Sequence, residues 1–190
     1  MNIVEKNNVL PKKLEDDLFL ALTTNGFPWF FINDITYIEN NNSTRKTNQF
    51  GFIHMVEYPN SKIEWDPHFK KSMEIVHELI LSTIPHFEKA FNLEYKRLGR
   101  IRIGMQTKVG DESVAFTPHT DSPKKHNSII YYVNDSDGDT IFYKGQNYNE
   151  ALRISPEKGK CIFFDGSLYH GGSSPVKNSR RIVINFLFEI

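Results

Sequence analysis

Little cysteine, no long apolar run and no surplus of either charge set the first limits on this sequence of 190 residues. The single cysteine, Cys161, cannot form an internal disulfide, and the expected setting is a reducing compartment, the cytoplasm. Cys161 lies in Gly-Lys-Cys-Ile-Phe-Phe, where a thiol reads as a small buried hydrophobe. No stretch approaches the roughly 18 apolar residues that a membrane-spanning helix needs. Met1 to Asn8 lacks the apolar segment of a secretory leader. Lys+Arg and Asp+Glu both stand at 23, so the formal charge is zero. Without a basic excess, generic binding to nucleic acid or to a membrane surface is not expected.

What is present suits an ordinary globule: 39% hydrophobic and 24% charged residues, with 15 phenylalanines as large core pieces. The length favours one domain. Leu14, Leu18, Ala21 and Leu22 recur at helical spacing within Pro11 to Thr23, and Asn25-Gly26 is a stop signal. Phe27 to Ile32 and Phe50 to Tyr58 read as strands, and Glu39 to Gln49 as an exposed polar loop. Asp66-Pro67 opens the longest expected helix, Asp as N-cap and Pro at its first position. Phe69, Met73, Val76 and Ile80 form its apolar stripe, and the helix is expected to end or bend near Pro85.

Near residue 99 the pattern changes. Arg100 to Met105, Ser128 to Val133, Thr140 to Tyr143, Gly159 to Phe164 and Arg181 to Phe188 are short β-type runs punctuated by turns, which implies a sandwich or barrel. Residues 1–98 are therefore expected to support a β core over 99–190, with no internal repeat and no linker.

Among the histidines, His119 stands out by its neighbours, Pro118-His119-Thr120-Asp121. On an extended segment, residues two apart point the same way, so His119 and Asp121 can offer an imidazole nitrogen and a carboxylate oxygen to one cation. His170, after the strand at Cys161 and the turn Asp165-Gly166-Ser167, is the best third donor. Two histidines and one carboxylate leave open positions on the metal, which suits non-haem Fe(II) and O2. The same donors also serve catalytic zinc. His77 and His86 read as surface or partly satisfied histidines, and His126 as the edge of a polar loop. Asp135, Asp137 and Asp139 have the spacing of a calcium loop, but Thr140 and Gln146 stand where glycine and glutamate are needed. That segment reads as a hairpin turn.

From Arg100 to the C-terminus the sequence resembles the 2-oxoglutarate/Fe(II)-dependent oxygenases, closest to their prolyl-4-hydroxylase-like branch. His119-Thr120-Asp121 is similar to the family's His-x-Asp. Ile130-Tyr131-Tyr132-Val133-Asn134 is similar to its Tyr-Leu-Asn strand, and Asp137-Gly138-Asp139-Thr140-Ile141-Phe142 to its Gly-Gly-Glu-Thr-x-Phe. Pro156-Glu157-Lys158-Gly159 resembles its Pro-x-x-Gly turn, His170-Gly171-Gly172 its distal His-x-Gly, and Arg180-Arg181-Ile182-Val183-Ile184-Asn185-Phe186 its last strand, led by arginine.

The resemblance implies a mainly β fold with N-terminal helices: a double-stranded β-helix, or distorted cupin-like jelly roll. It implies Fe(II) on His119, Asp121 and His170, with 2-oxoglutarate and O2 as co-substrates. Arg181 would hold the 2-oxoglutarate C5 carboxylate, for which the planar guanidinium fork is suited. Arg180 competes for that role but should point to the opposite face. Val183 replaces the family's hydroxyl residue two positions after the arginine. Tyr132 matches a tyrosine that contacts the C5 carboxylate in prolyl-hydroxylase-like members, and Gln106 or Thr107 would meet the C1 carboxylate. The carboxylate of Asp121, absent from halogenating members, favours hydroxylation. The expected activity is hydroxylation of a C–H bond in a peptidyl substrate, prolyl ones included, or in a small molecule. Trp29 and Lys108 are candidates for the entrance. A zinc or manganese jelly-roll enzyme and a non-catalytic metal-binding module are the alternatives.

Overall fold

In the computed structural model, residues 1–35, 49–57, 67–145 and 147–190 are described. The chain runs β1 (Ile3–Lys6), α1 (Lys12–Thr23), β2 (Phe30–Ile32), β3 (Gly51–Glu57), α2 (Pro67–Leu81), α3 (Ile84–Phe91) and β4 (Arg97–Thr107). It continues through β5 (His126–Tyr132), β6 (Thr140–Lys144), β7 (Asn149–Ile154), β8 (Cys161–Asp165), β9 (His170–Gly172) and β10 (Arg180–Glu189). Among the described residues, ten strands form two sheets. The larger has the order β1-β8-β5-β10-β4-β3-β2 and the smaller β7-β6-β9. The mainly β architecture with few helices is that of a double-stranded β-helix.

β10 explains the layering. It lies between β5 and β4, and its interior is buried on both faces. Ile182, Ile184, Phe186 and Phe188 point to the helices, where they meet Leu18, Leu22, Ile80 and Phe87 in the larger core. Phe87 of α3 packs edge-on to Phe186, with ring centroids 5.0 Å apart. Each such fully buried side chain contributes roughly 1.5–3 kcal/mol. The alternate residues Arg181, Val183 and Asn185 face the other way and line a cavity. Val183 also belongs to the second core with Ile130, Tyr132, Phe142, Ile154, Ile162 and Phe164.

The helices follow their periodicity. In α1, Leu18 and Leu22 are one turn apart and fully buried, while Lys12–Asp16 and Lys13–Asp17 pair on the exposed side. In α2, Met73 and Ile80 are buried as the stripe predicts. The helix ends near Pro85, as expected: the break comes at Ser82 and Thr83, whose hydroxyls donate to the carbonyls of Leu79 and Ile80. Pro85 itself sits in the first turn of α3, where its missing N–H costs nothing.

Two expectations change. The strand expected at Phe27 is short, Phe30–Ile32. The aspartate-rich segment is no hairpin: it carries the chain from β5 in one sheet to β6 in the other. β1 and β7 had no sequence signal. β7, Asn-Glu-Ala-Leu-Arg-Ile, is rich in helix formers and mostly exposed, and is a strand only because it pairs with β6 at a sheet edge. The polar loop over 39–48, the N-cap Asp66, Tyr58, Gln146 and the side chain of Phe69 lie outside what is described. Among the described residues, no helix is long and apolar enough to cross a membrane.

Candidate active site

His119 and His170 are joined through their backbones. Each N–H donates to the other's carbonyl at 2.9 Å, an isolated antiparallel bridge that brings the rings to 4.9 Å between centroids. Nδ1 of His119 lies 3.1 Å from the Thr117 carbonyl, and Nδ1 of His170 lies 3.0 Å from that of Leu168. A carbonyl only accepts, so in both rings Nδ1 carries the hydrogen and donates. Each Nε2 is left with its lone pair, the tautomer a metal needs. Burial, reinforced by the neighbouring His170, pushes His119 down to about 4, so its ring is neutral at pH 7.

Asp121 completes the group. Donor atoms of His119, Asp121 and His170 lie within 4.8 Å of one another, and no other such group of three occurs among the described residues. The Asp121 side chain is 2% exposed. Its Oδ1 accepts from Arg100 Nη2 at 2.6 Å. Its Oδ2 accepts from Asn185 Nδ2 at 3.0 Å and lies 3.4 Å from His170 Nε2. Burial alone would raise this carboxyl, but Arg100 and the two imidazoles outweigh it and hold it well below the usual carboxylate range.

The same cavity holds Arg181. It is lined by Arg102, Gly104 and Gln106 from β4, by Arg181, Val183 and Asn185 from β10, and by Thr140, Phe116 and Ile35 among others. Arg181 is 3% exposed. Its Nη1 donates to Gln106 Oε1 at 2.7 Å and its Nη2 to Thr140 Oγ1 at 2.6 Å. Its Nε has no partner. Among the described residues no carboxylate pairs with this guanidinium, although burial disfavours its charge and lowers its pKa. A buried cation with only neutral partners is costly. The orphaned Nε and the missing anion are what a ligand carboxylate would supply, so the residues present fit 2-oxoglutarate. Glycines give Arg181 its room: a Cβ on Gly138 would lie 3.1 Å from its Cδ and one on Gly172 3.3 Å from its Nη1.

Tyr132 donates to Thr140 Oγ1 at 2.7 Å. It reaches the cavity through Thr140 and is not itself in the lining. Gln106 stands opposite Arg181 in the ladder, and Arg102 opposite Asn185, beside Asp121. Thr107 is outside the lining, as is Arg180. Trp29 packs edge-on to Phe27 at 4.9 Å in the larger core, away from the cavity. Lys108 is exposed and pairs with Asp111. Among the described residues of the N-terminal half, Ile35 reaches the cavity. His126 is no loop edge: it opens β5, is 2% exposed and lies over Gly166. His77 makes a 2.8 Å hydrogen bond between its Nε2 and that of His54.

The three aspartates do not converge on a cation. Asp137 accepts from the N–H groups of Val176, Lys177 and Asn178, Asp139 from Ser155, and Asp135 from the N–H of Lys158. They tie the crossover to neighbouring loops. Sequence reasoning gave no role to Thr140, Asn185, Arg100 or Arg102. Thr140 stood in a quoted motif and Asn185 in the final strand, but their contacts depend on strand register.

Residues 105–189 match the family model described as the 2OG-Fe(II) oxygenase superfamily. No curated protein matches the sequence. Among solved structures, a 2OG-Fe(II) oxygenase family oxidoreductase from Burkholderia pseudomallei is similar with a TM-score of 0.63 and 14% identity, over 98% of this chain and 84% of that one. A prolyl hydroxylase from Trichoplax adhaerens, in complex with a hypoxia inducible factor peptide fragment, gives 0.58 and 16%, over 98% and 83%. The α-ketoglutarate-dependent carbocyclase SnoK of nogalamycin biosynthesis gives 0.61 and 9%, over 98% and 79%. At such identities these likenesses speak to the fold. The matched segment, residues 105–189, carries His119, Asp121, His170 and Arg181, so the part of the chain that holds the site is similar to the 2OG-Fe(II) oxygenase superfamily, enzymes that use Fe(II), 2-oxoglutarate and O2.

Proposed function

We propose that this protein is a dioxygenase that hydroxylates a C–H bond of a peptidyl substrate, prolyl ones included, or of a small molecule. One oxygen atom of O2 goes to the product hydroxyl and the other to succinate, with loss of CO2. The observation that carries this reading is the sharing of one cavity by a His-Asp-His donor set and a buried guanidinium that lacks an anion. A zinc or manganese enzyme could use the same three donors but would give Arg181 no task.

In this reading His119, Asp121 and His170 hold Fe(II), which supplies the means to activate O2 beside the substrate. Arg181 binds the C5 carboxylate. Thr140 and Tyr132 form a hydroxyl relay on one side of that guanidinium, and Gln106 orients it from the other. Arg100 and Asn185 fix the rotamer of Asp121. Ile35, Phe116, Ile130 and Val183 give part of the wall an apolar surface that limits water. We read residues 99–190 as the core of one unit and 1–98 as its support. The peptide held by the Trichoplax prolyl hydroxylase supports a peptidyl substrate, and the carbocyclase supports a small one. The buried free thiol of Cys161 suits a reducing compartment, and we assign the protein to the cytoplasm.

The test is turnover without added substrate. With Fe(II), O2 and 2-oxoglutarate the protein should form succinate slowly, and His119→Ala or Asp121→Ala should abolish it. A protein that binds Fe(II) but forms no succinate would contradict the proposal and favour the zinc or manganese alternative.

A further inference from the structure

β4 presents three arginines, and two are paired with carboxylates. Arg97 makes a two-bond pair with Glu189, and Arg100 holds Asp121. Arg102 lies near the metal-donor group, close enough to interact electrostatically with Asp121 and His119, opposite Asn185 on β10 and Met55 on β3. It lines the cavity, yet makes no hydrogen bond or ion pair among the described residues. The nearest anion, Asp121, acts on it only through space, because its oxygens are bonded elsewhere. Asp121 gives Oδ1 to Arg100 and turns Oδ2 to Asn185 and His170.

2-Oxoglutarate does not meet the need. Its C5 carboxylate is required by Arg181, and its other end by the metal. Arg102 is four strand positions from Gln106, the ladder partner of Arg181, roughly 13 Å along the strand. The cation at Arg102 therefore waits for a third partner. Burial, with Arg100 beside it, pushes the guanidinium only to about 10, so it stays charged at pH 7.

We propose that Arg102 is the substrate-recognition residue and that the substrate is a small carboxylic acid whose carboxylate docks on its guanidinium fork. This deepens the oxygenase reading and rests on it. A single free cation suits a single negative charge, and the planar fork matches a carboxylate with two parallel bonds. The half-buried position inside the cavity favours a free acid that enters whole. Docked there, the molecule is held beside Asp121 and thus beside the metal, so the C–H bond nearest its carboxylate is the one presented for oxidation.

The experiment loads the full chain with Mn(II) and saturating 2-oxoglutarate, then adds acetate, with acetamide as the neutral control. The readout is relaxation of the probe's methyl protons by the paramagnetic ion, which reports only binding near the metal. Acetate should relax about ten times more than acetamide, a difference that matches the loss of one charge-assisted contact. Arg102→Gln should remove the difference while 2-oxoglutarate affinity stays within about two-fold, and Arg102→Lys should restore part of it. Equal relaxation of the two probes, or an acetate effect that survives Arg102→Gln, would overturn the proposal, the latter by showing direct binding to the ion. A drop of 2-oxoglutarate affinity in Arg102→Gln as large as in Arg181→Met would move Arg102 to the co-substrate site and also overturn it. Failure of the parent to load with Mn(II) and 2-oxoglutarate would instead bring down the oxygenase reading itself.

Discussion

Arg100 holds one oxygen of Asp121 at 2.6 Å, while the other oxygen lies 3.4 Å from His170 Nε2. The carboxylate is thereby divided: one oxygen is anchored by the protein, and the other is turned toward the imidazoles. Asn185 fixes the division, since its Nδ2 donates to Asp121 Oδ2 and its Oδ1 accepts from Arg100 Nη2. Arg100→Met should therefore let the carboxylate rotate and lower affinity for Fe(II) or Mn(II) by about 10- to 100-fold. A metal titration followed by calorimetry checks this. Unchanged affinity would show that Asp121 needs no such anchor.

Arg181→Met should separate co-substrate binding from folding. Two lost charge-assisted bonds, roughly 1.5–3 kcal/mol each, predict about 100-fold weaker binding of 2-oxoglutarate or more. The ligand-free variant should melt at or above the temperature of the parent, because a buried cation without an anion is replaced by an apolar chain. Thermal melts with and without 2-oxoglutarate measure both effects.

Gly138→Ala should harm the same site from a distance in sequence. A Cβ there would lie 2.5 Å from the Ser173 carbonyl and 3.0 Å from the Pro175 nitrogen, both backbone, and 3.1 Å from Arg181 Cδ. The backbone must give, at a cost of roughly 1–3 kcal/mol, and Arg181 with it. Urea denaturation should show the loss of stability, accompanied by weaker 2-oxoglutarate binding.

Stability of the metal-free protein should fall as pH drops below about 6.5, the ordinary histidine value. Burial pushes His54 down to about 4, and burial beside His170 pushes His119 there too. Both rings stay neutral in the fold while the unfolded chain takes up protons. The stabilisation is whole above about 6.5 and is lost progressively toward about 4. Melting temperature measured from pH 7 to 5 should decline, and less steeply in His54→Gln. A flat profile would contradict the assignment.

The site was legible where its chemistry is local in sequence. His119 and Asp121 are two residues apart on an extended segment, and Arg181 leads an apolar strand. Gly138 and Gly171 could be read as motif letters, although only the structure shows that their Cβ atoms would meet the carbonyls of Ser173 and Phe116. What sequence could not show depends on register across long separations. Arg102 faces Asn185, and Gln106 faces Arg181, only through the pairing of β4 with β10. Trp29 was misplaced for the opposite reason: an aromatic near an expected entrance was drawn into the core by Phe27. β7 was invisible because its residues favour helix and only its edge pairing makes it a strand.

The most direct test is an anaerobic titration of the metal-free protein with Fe(II) and 2-oxoglutarate, watching for the weak visible charge-transfer band that the family resemblance implies. The band should appear for the parent, and Arg181→Ala should need about 100-fold more 2-oxoglutarate to reach it. Iron binding without the band, or a band indifferent to Arg181, would contradict the claim that metal and 2-oxoglutarate share this cavity.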